Sequence, residues 1–121
     1  MGRTTAQPHQ TMMLEQETRD DVLIVRPIGR LDSSSSPELE RLINEKLEAG
    51  TRRLVFDLAD MDYVSSAGLR VILLAGKKLR ASQGKLVLAG MRDMAREVFE
   101  MSGFLTLFQV AATVDEGLTK V

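Results

Sequence analysis

Two adjacent hydroxyl side chains, Ser65 and Ser66, are the residues of this sequence whose position best suits chemistry. They lie in the segment 63–70, between a short apolar run and the longest helix-like pattern of the chain. One interpretation is a helix cap, because a serine oxygen accepts a hydrogen bond from an otherwise unpaired amide of the first turn. The other is a phosphorylation switch, because free amides and a partial positive charge at a helix start favour a phosphate group. The two interpretations are compatible, and the pair alone does not decide between them.

The segment 64–68 also comes close to the G-x-S-x-G turn of serine hydrolases, with Ser66 at the position of the nucleophile. Val64 replaces the first glycine, however, and the single histidine, His9, lies in a segment that we expect to be outside the fold. A serine nucleophile needs a base to activate it. We therefore expect the protein not to be an enzyme.

Three aspartates, Asp57, Asp60 and Asp62, follow a short apolar run, at the kind of strand end where ligands often bind in open sheets. They could hold magnesium or accept a phosphoryl group. Aspartate is also a favoured turn residue, and a solvated turn is the better interpretation. Because the sequence has no cysteine and no glycine-rich phosphate loop, we expect no metal and no cofactor.

The length of 121 residues fits one domain. Residues 1–11 show no apolar periodicity and are predicted to form a mobile tail, which leaves a domain over residues 12–121. We therefore expect one functional site or surface.

Charge and hydropathy exclude several classes of protein. Sixteen Lys and Arg against 17 Asp and Glu leave a net charge of −1, which argues against direct nucleic-acid binding by bulk attraction. No apolar run approaches the roughly 18 residues of a membrane helix, and no signal-peptide core is present. We expect a soluble, cytoplasmic protein that does not bind membranes.

The first half of the chain predicts a hairpin and then a helix. Strands over 12–17 and 22–28 flank a polar turn, and Pro27 predicts an irregular or edge position at the end of the second strand. Ser35 and Glu38 form a capping box for a helix that Gly50 ends.

The second half alternates strands and helices. A continuously apolar strand over 53–58 should be central, and a polar connection over 59–63 leads to a helix that starts at Ser66 and stops at Gly84. Further predicted elements are a strand over 85–89, a helix over 93–101 that Gly103 ends, a strand over 105–110 and a short helix capped by Thr113 with Glu116. The third helix should bury a stripe formed by Met94, Val98 and Met101.

The order of these elements predicts an α/β domain. A hairpin followed by alternating units implies a mixed, mostly parallel sheet of about five strands with about four helices packed on it.

The chain resembles the anti-sigma-factor antagonists, which are small free-standing STAS domains of bacterial partner-switching pathways. The resemblance extends from about Leu14 to Leu118, and its parts are the segments 29–32, 55–58, 65–69 and 98–104. Each part is degenerate, whereas their order and spacing together are specific.

This resemblance implies a switch. In its unphosphorylated form such a protein binds an anti-sigma factor, often also its serine kinase of the histidine-kinase-like ATPase type; phosphorylation breaks the complex and a serine phosphatase restores it. The acceptor of the family lies two residues before the motif glycine, Gly68, and is therefore Ser66, with Ser65 as second choice. Asp32 matches the aspartate of the family's G-x-L-D loop, which is expected near the same surface.

Two positions depart from the family pattern. Ser65 stands where the family often has aspartate, and Ala67 stands where it often has serine or threonine. The missing carboxylate could alter recognition by the kinase.

The helix after Ser66 is the expected docking surface, because Arg70, Leu74 and Lys77 follow at i+4, i+8 and i+11. An ordinary basic helix surface with one half-exposed leucine explains the same pattern. The residues expected to contact the partner are Asp32, Ser65, Ser66, Ala67, Gly68, Arg70, Leu74 and Lys77.

STAS domains have other roles, since fold alone does not determine function. The alternative is a non-switching STAS subunit of a lipid-transport or sensory, stressosome-like assembly that uses the same helix for constitutive contact.

Overall fold

The computed structural model describes residues 12–103, 105 and 108–121. The predicted tail over residues 1–11, with His9, lies outside the described residues. Six strands and four helices follow one another in the described part of the chain: β1 (Met12–Arg19), β2 (Val22–Leu31), α1 (Ser36–Glu48), β3 (Arg53–Asp57), β4 (Met61–Val64), α2 (Ser66–Ala81), β5 (Lys85–Ala89), α3 (Asp93–Ser102), β6 (Gln109–Ala111) and α4 (Val114–Leu118).

The strands form one sheet in the order β1-β2-β3-β5-β6, and β4 pairs with the far end of β2. The β1–β2 pair is antiparallel, and every other pairing is parallel. The predicted α/β class, the N-terminal hairpin and the mostly parallel sheet are therefore confirmed, with one strand more than expected.

The hairpin turn consists of Asp20 and Asp21, whose φ angles are +51° and +69°. Two successive left-handed residues match the right-handed twist of the flanking strands, and aspartate tolerates this conformation better than most residues. The turn is thus shorter than the four polar residues 18–21 suggest, because β1 continues to Arg19 instead of ending at residue 17, whereas β2 begins at Val22 as predicted.

The second strand changes partner along its length. It pairs with β3 up to Val25 and with β4 from Gly29 onward, and the register shifts between Gly29 and Arg30. Pro27, which has no amide hydrogen, lies between the two paired segments. The predicted irregularity is confirmed, although the strand continues to Leu31.

The predicted polar connection over 59–63 is wrong in part, because Met61–Val64 forms a strand. Met61 and Val64 are buried, whereas Asp62 is exposed. A strand of four residues shows too little alternation to be recognised from its own sequence. The pairing with β2 creates it.

The sheet has a hydrophobic core on each face. On one face, Leu54 and Phe56 of β3 lie in the larger cluster with residues of α1, α2 and α3. On the other, Val55 packs with β2, β5 and residues of α4. Burial on both faces confirms the prediction that this strand is central.

The first helix begins as predicted, with Ser35 as N-cap and Pro37 in the first turn. The predicted capping box is wrong, because the Ser35 side chain makes no capping hydrogen bond. Its hydroxyl instead donates to the Arg30 carbonyl oxygen at 2.8 Å and accepts from the Asp32 amide at 2.9 Å. Tertiary contact with the end of β2 replaces the local bond.

Gly84 does not cap α2, which ends at Ala81. The left-handed residue after the helix is Gln83, with φ of +65°. A Cβ at Gly84 would overlap the Arg52 carbonyl oxygen. The glycine therefore permits a close approach of two backbone segments.

The predicted methionine stripe of α3 is also wrong. Met94 and Met101 are 56% and 84% exposed, whereas Ala95 and Phe99 are buried. Burying Phe99 removes the larger apolar surface from water, and this rotates the helix away from the methionines. Gly103, with φ of +79°, ends α3 as predicted.

A last strand is present, as predicted. It covers Gln109–Ala111 instead of residues 105–110. Residues 106 and 107 of the predicted strand lie outside the described residues. The final helix is capped as predicted, since Thr113 Oγ1 accepts from the Glu116 amide at 3.1 Å.

In the part of the chain that the structure describes, no helix combines the length and the apolar character needed to cross a membrane.

Asp57 is not part of a solvated turn, which corrects the interpretation of the three aspartates for this residue. Its carboxylate is buried and accepts from Arg26 Nε at 2.7 Å. Arg26 also donates to Glu15 at 2.8 Å, and these two bonds raise the pKa of its guanidinium. Asp60 is exposed, as a turn residue should be.

We expect Asp57→Ala to lower the free energy of unfolding by about 1.5–3 kcal/mol, because a hydrogen bond between charged groups is lost and Arg26 keeps its burial cost. Asp60→Ala, the control, should change it by no more than about 0.5 kcal/mol. Urea unfolding followed by circular dichroism measures both. Equal stability of the two variants would show that the ion pair does not stabilise the sheet.

Candidate functional site

The two serines lie where three elements meet. Leu31 at the end of β2 pairs with Val64 at the end of β4, and the Leu31 carbonyl oxygen accepts from the Ser65 amide at 2.9 Å. Helix α2 begins at the next residue, Ser66. The loop that starts at Asp32 therefore lies beside the start of α2, as the sequence analysis expected.

Gly68 allows this close junction. A Cβ at this position would lie 2.7 Å from Leu31 Cγ and 2.9 Å from the Leu31 carbonyl oxygen. The motif glycine is buried and serves as a spacer against β2, so its side of the helix offers no surface to a partner.

Ser65 is the cap of α2. It has extended backbone angles, with φ of −93° and ψ of 175°, and its hydroxyl oxygen accepts from the Gly68 amide at 3.3 Å. This is the arrangement expected of an N-cap serine. Of the two interpretations of the serine pair, the helix cap therefore applies to Ser65.

Ser66 is the first residue of α2 and is exposed. Its hydroxyl group makes no hydrogen bond to any other residue that the structure describes. The first turn of α2 also contains no acidic residue, whereas the other three helices each carry one or two there. A negative group on Ser66 would thus meet no carboxylate from its own turn and would face the positive end of the helix dipole.

Asp32 organises the neighbouring loop. Its Oδ1 atom accepts from the Ser34 hydroxyl at 2.7 Å, from the Ser34 amide at 3.0 Å and from the Ser35 amide at 3.2 Å. The Ser34 hydroxyl, followed by these amides, lowers the pKa of the Asp32 carboxyl below its usual range. The residue is therefore charged at neutral pH and shapes the loop.

Sequence reasoning missed two neighbours of this loop, Arg30 and Tyr63. They are register partners in the β2–β4 pair, and the Arg30 guanidinium lies 4.2 Å from the centre of the Tyr63 ring. Arg30 Nε is also 3.8 Å from an oxygen of Asp32. The contact between Arg30 and Tyr63 could not be inferred from the sequence, because it depends on the pairing of β2 with β4, and β4 was not predicted.

The exposed side of α2 is basic. Arg70 and Lys77 are exposed, Ala67 and Leu74 are half-buried, and the helix contains no acidic residue. Neither cation forms an ion pair or a side-chain hydrogen bond with another described residue. Of the residues expected to contact a partner, Ser66, Arg70 and Lys77 present the most side chain to solvent.

Among the described residues, no group of three or more His, Cys, Asp or Glu side chains is close enough together to hold a metal ion. The three aspartates considered as a magnesium site are divided between the buried ion pair at Asp57 and two exposed positions, Asp60 and Asp62.

The two serines should differ in stability measurements. We expect Ser65→Ala to lower the free energy of unfolding by about 0.5–2 kcal/mol, because the Gly68 amide loses its partner. Ser66→Ala, its neighbour and control, should leave stability unchanged or raise it slightly, because alanine favours a helix more than serine does. Urea unfolding of both variants tests this, and a larger loss in Ser66→Ala would contradict the assignment of the cap.

The STAS domain family model matches residues 13–117. The chain is 46% identical over 100 residues to BtrV of Bordetella bronchiseptica, a candidate anti-sigma factor antagonist, covering 83% of this chain and 86% of that protein. It is 30% identical over 97 residues to an anti-sigma-B factor antagonist of Staphylococcus aureus, covering 80% of this chain and 90% of the relative.

A solved structure shows the same architecture. The crystal structure of an anti-sigma factor antagonist from Mycobacterium paratuberculosis has a TM-score of 0.84 and 25% identity, covering 92% of this chain and 94% of that one. The family model covers nearly the whole described domain, and the fold and the sequence relatives agree with it. The chain belongs to the STAS domain family.

Proposed function

We propose that this protein is an anti-sigma-factor antagonist that works as a partner switch in the cytoplasm. In its unphosphorylated form it binds an anti-sigma factor that is also a serine kinase of the histidine-kinase-like ATPase type; phosphorylation of Ser66 releases that partner, and a serine phosphatase reverses the step. The observation that carries the proposal is the exposed hydroxyl of Ser66 at the start of α2, which has no hydrogen-bond partner among the described residues and lies beside a separate capping serine. The names of the two sequence relatives support the anti-sigma-factor antagonist part of this role.

The start of α2 suits a phosphate for electrostatic reasons. A phosphoserine carries about −1.5 to −2 charges at neutral pH. At Ser66 this charge would lie next to the first amides of the helix and one turn before Arg70. Phosphorylation therefore needs no rearrangement of the fold and leaves the cap at Ser65 in place.

The same charge would alter the docking surface. Unphosphorylated α2 presents Arg70 and Lys77 with no acidic residue on the helix. A partner that complements this basic surface meets a negative group at one end after phosphorylation. The resulting difference in affinity between the two forms is what shifts the partner between complexes.

The serine at position 65 preserves the structural role of the aspartate that the family often has there. Serine and aspartate are about equally good N-caps, so the cap is retained. The carboxylate is lost, so we infer that the kinase of this protein recognises the segment without a negative charge before the acceptor.

The first test concerns the acceptor. Incubation with the cognate kinase and ATP should add one phosphate to the wild-type protein and to Ser65→Ala, and none to Ser66→Ala, because the Ser66 hydroxyl is exposed and has no partner in the described part of the chain, whereas Ser65 caps the helix. Intact-mass measurement gives the stoichiometry, and peptide fragmentation gives the position. Phosphate on Ser65 alone, or its persistence in Ser66→Ala, would contradict the assignment.

The second test concerns binding. Ser66→Asp should weaken binding of the purified cognate anti-sigma factor by at least about tenfold, or about 1.4 kcal/mol, because it places a negative charge on the basic surface. Ser66→Ala should bind like wild type. Gln16→Glu, which adds one charge on exposed β1, is the control and should also bind like wild type.

Isothermal titration calorimetry measures all three affinities. If Ser66→Asp and Ser66→Ala bind equally well, the switch is wrong and constitutive contact, as in a non-switching STAS assembly, is favoured.

A further inference from the structure

The C-terminal half of α2 borders a hollow that shares Lys77 with the docking surface proposed above and extends beyond it. It consists of two adjoining cavities of about 70 Å³ and 160 Å³. The first is lined by Leu73, Gly76, Lys77, Arg80 and Phe108. The second shares three of these residues, and its lining is Gly76, Arg80, Gly84, Lys85, Leu86, Phe108 and Gln109. We name the two cavities together the Phe108 hollow.

The apolar part of the hollow depends on a glycine. A Cβ at Gly76 would lie 2.6 Å from Cε1 of Phe108, so the aromatic ring lies directly against the bare helix backbone. Phe108 is only partly buried by this contact and packs on the edge of the larger core. Together with Leu73, it provides an apolar surface that is open to solvent on one side.

The rim of the hollow carries charge of one sign. Its charged side chains among the described residues are Lys77, Arg80 and Lys85, and all three are exposed. None of them forms an ion pair or a side-chain hydrogen bond with another described residue. By contrast, Arg19, Arg26 and Arg92 elsewhere on the surface are each paired with a carboxylate.

The volume of the Phe108 hollow indicates which class of ligand it can hold. Pockets for small molecules usually measure about 300–1,000 Å³, which is more than either cavity offers. A shallow apolar depression with a polar rim is instead the usual receptor for one anchoring side chain at a protein interface. The cationic rim requires that the residues beside the anchor be acidic.

We propose that the Phe108 hollow is a docking site for an acidic segment of a partner protein that inserts one apolar side chain against Phe108. Its carboxylates pair with Lys77, Arg80 and Lys85. The proposal rests on the proposed function, since the segment belongs to the anti-sigma factor that Ser66 controls.

Distance along the helix separates this contact from the switch. Lys77 and Arg80 are 11 and 14 residues beyond Ser66, which at 1.5 Å per residue is roughly 17–21 Å. Electrostatic screening at physiological salt acts over about 8 Å. The Phe108 hollow therefore contributes affinity that phosphorylation of Ser66 leaves in place, and the phosphate acts only at the other end of the docking surface.

Charge reversal tests the proposal. Arg80→Glu and Lys85→Glu should each weaken binding of the purified cognate anti-sigma factor by about tenfold, and the loss should shrink as salt is raised. Arg41→Glu, an exposed charge reversal on α1, is the matched control and should bind like wild type. Calorimetric titration gives the affinities, and urea unfolding confirms that every variant is folded.

A double variant tests whether Ser66 and the Phe108 hollow contribute independently to the binding affinity. In Ser66→Asp, adding Arg80→Glu should weaken binding by the same factor as in the wild-type background, because sites this far apart act additively. A factor that differs by more than about threefold between the two backgrounds would overturn the independence of the two ends.

The outcomes separate the two proposals. If Arg80→Glu and Lys85→Glu bind like wild type while Ser66→Asp is weakened, the docking role of the Phe108 hollow is wrong and the switch stands. If the charge reversals weaken binding and Ser66→Asp does not, the docking site stands and the switch is wrong. If light scattering shows that the charge reversals instead abolish self-association, the hollow joins copies of this chain and the proposed occupant is wrong.

Discussion

The site depends on one tight contact, between Leu31 at the end of β2 and the first turn of α2. The Leu31 carbonyl oxygen accepts from the Ser65 amide, and the Leu31 side chain fills the space that a Cβ on Gly68 would need. Because the same residue precedes Asp32, this contact also places the serine-rich loop next to the start of the helix. The strand end, the loop and the helix start form one rigid junction.

At this junction, Ser65 and Ser66 have different environments. Ser65 is half-buried and uses its oxygen to cap the helix, whereas Ser66 projects into solvent without a partner among the described residues. The cap is uncharged and the first turn contains no carboxylate, so the positive end of the helix dipole is not neutralised by side chains of that turn. A phosphate on Ser66 would be the first negative group in that turn, so the proposed modification would change the local charge strongly.

For the choice of a binding partner, the charge on the surface of α2 matters more than the net charge of the protein. The net charge is −1, and this value argues only against binding by bulk attraction. Helix α2 is nevertheless entirely basic among its charged residues, and its exposed side runs from Ser66 to the Phe108 hollow. A surface of this kind favours an acidic partner by complementarity, and its length is consistent with the proposal that one end is switched while the other stays bound.

The class of the fold, the hairpin, the central strand and the position of α2 could be predicted from the amino-acid sequence, because they depend on long apolar runs, helical periodicity and turn residues that act locally. The sequence also placed the candidate acceptor at the start of a helix. Elements whose structure depends on distant residues were missed. Strand β4 needs β2 as its partner, the buried Asp57 is paired with Arg26 of the neighbouring strand, and the Ser35 hydroxyl bonds to the end of β2 instead of capping its own helix. The orientation of α3 follows from burying Phe99 rather than its methionines, and the Phe108 hollow exists because a residue from beyond α3 lies against Gly76. These features were decided by the tertiary structure, since each is a contact between segments that local periodicity does not relate.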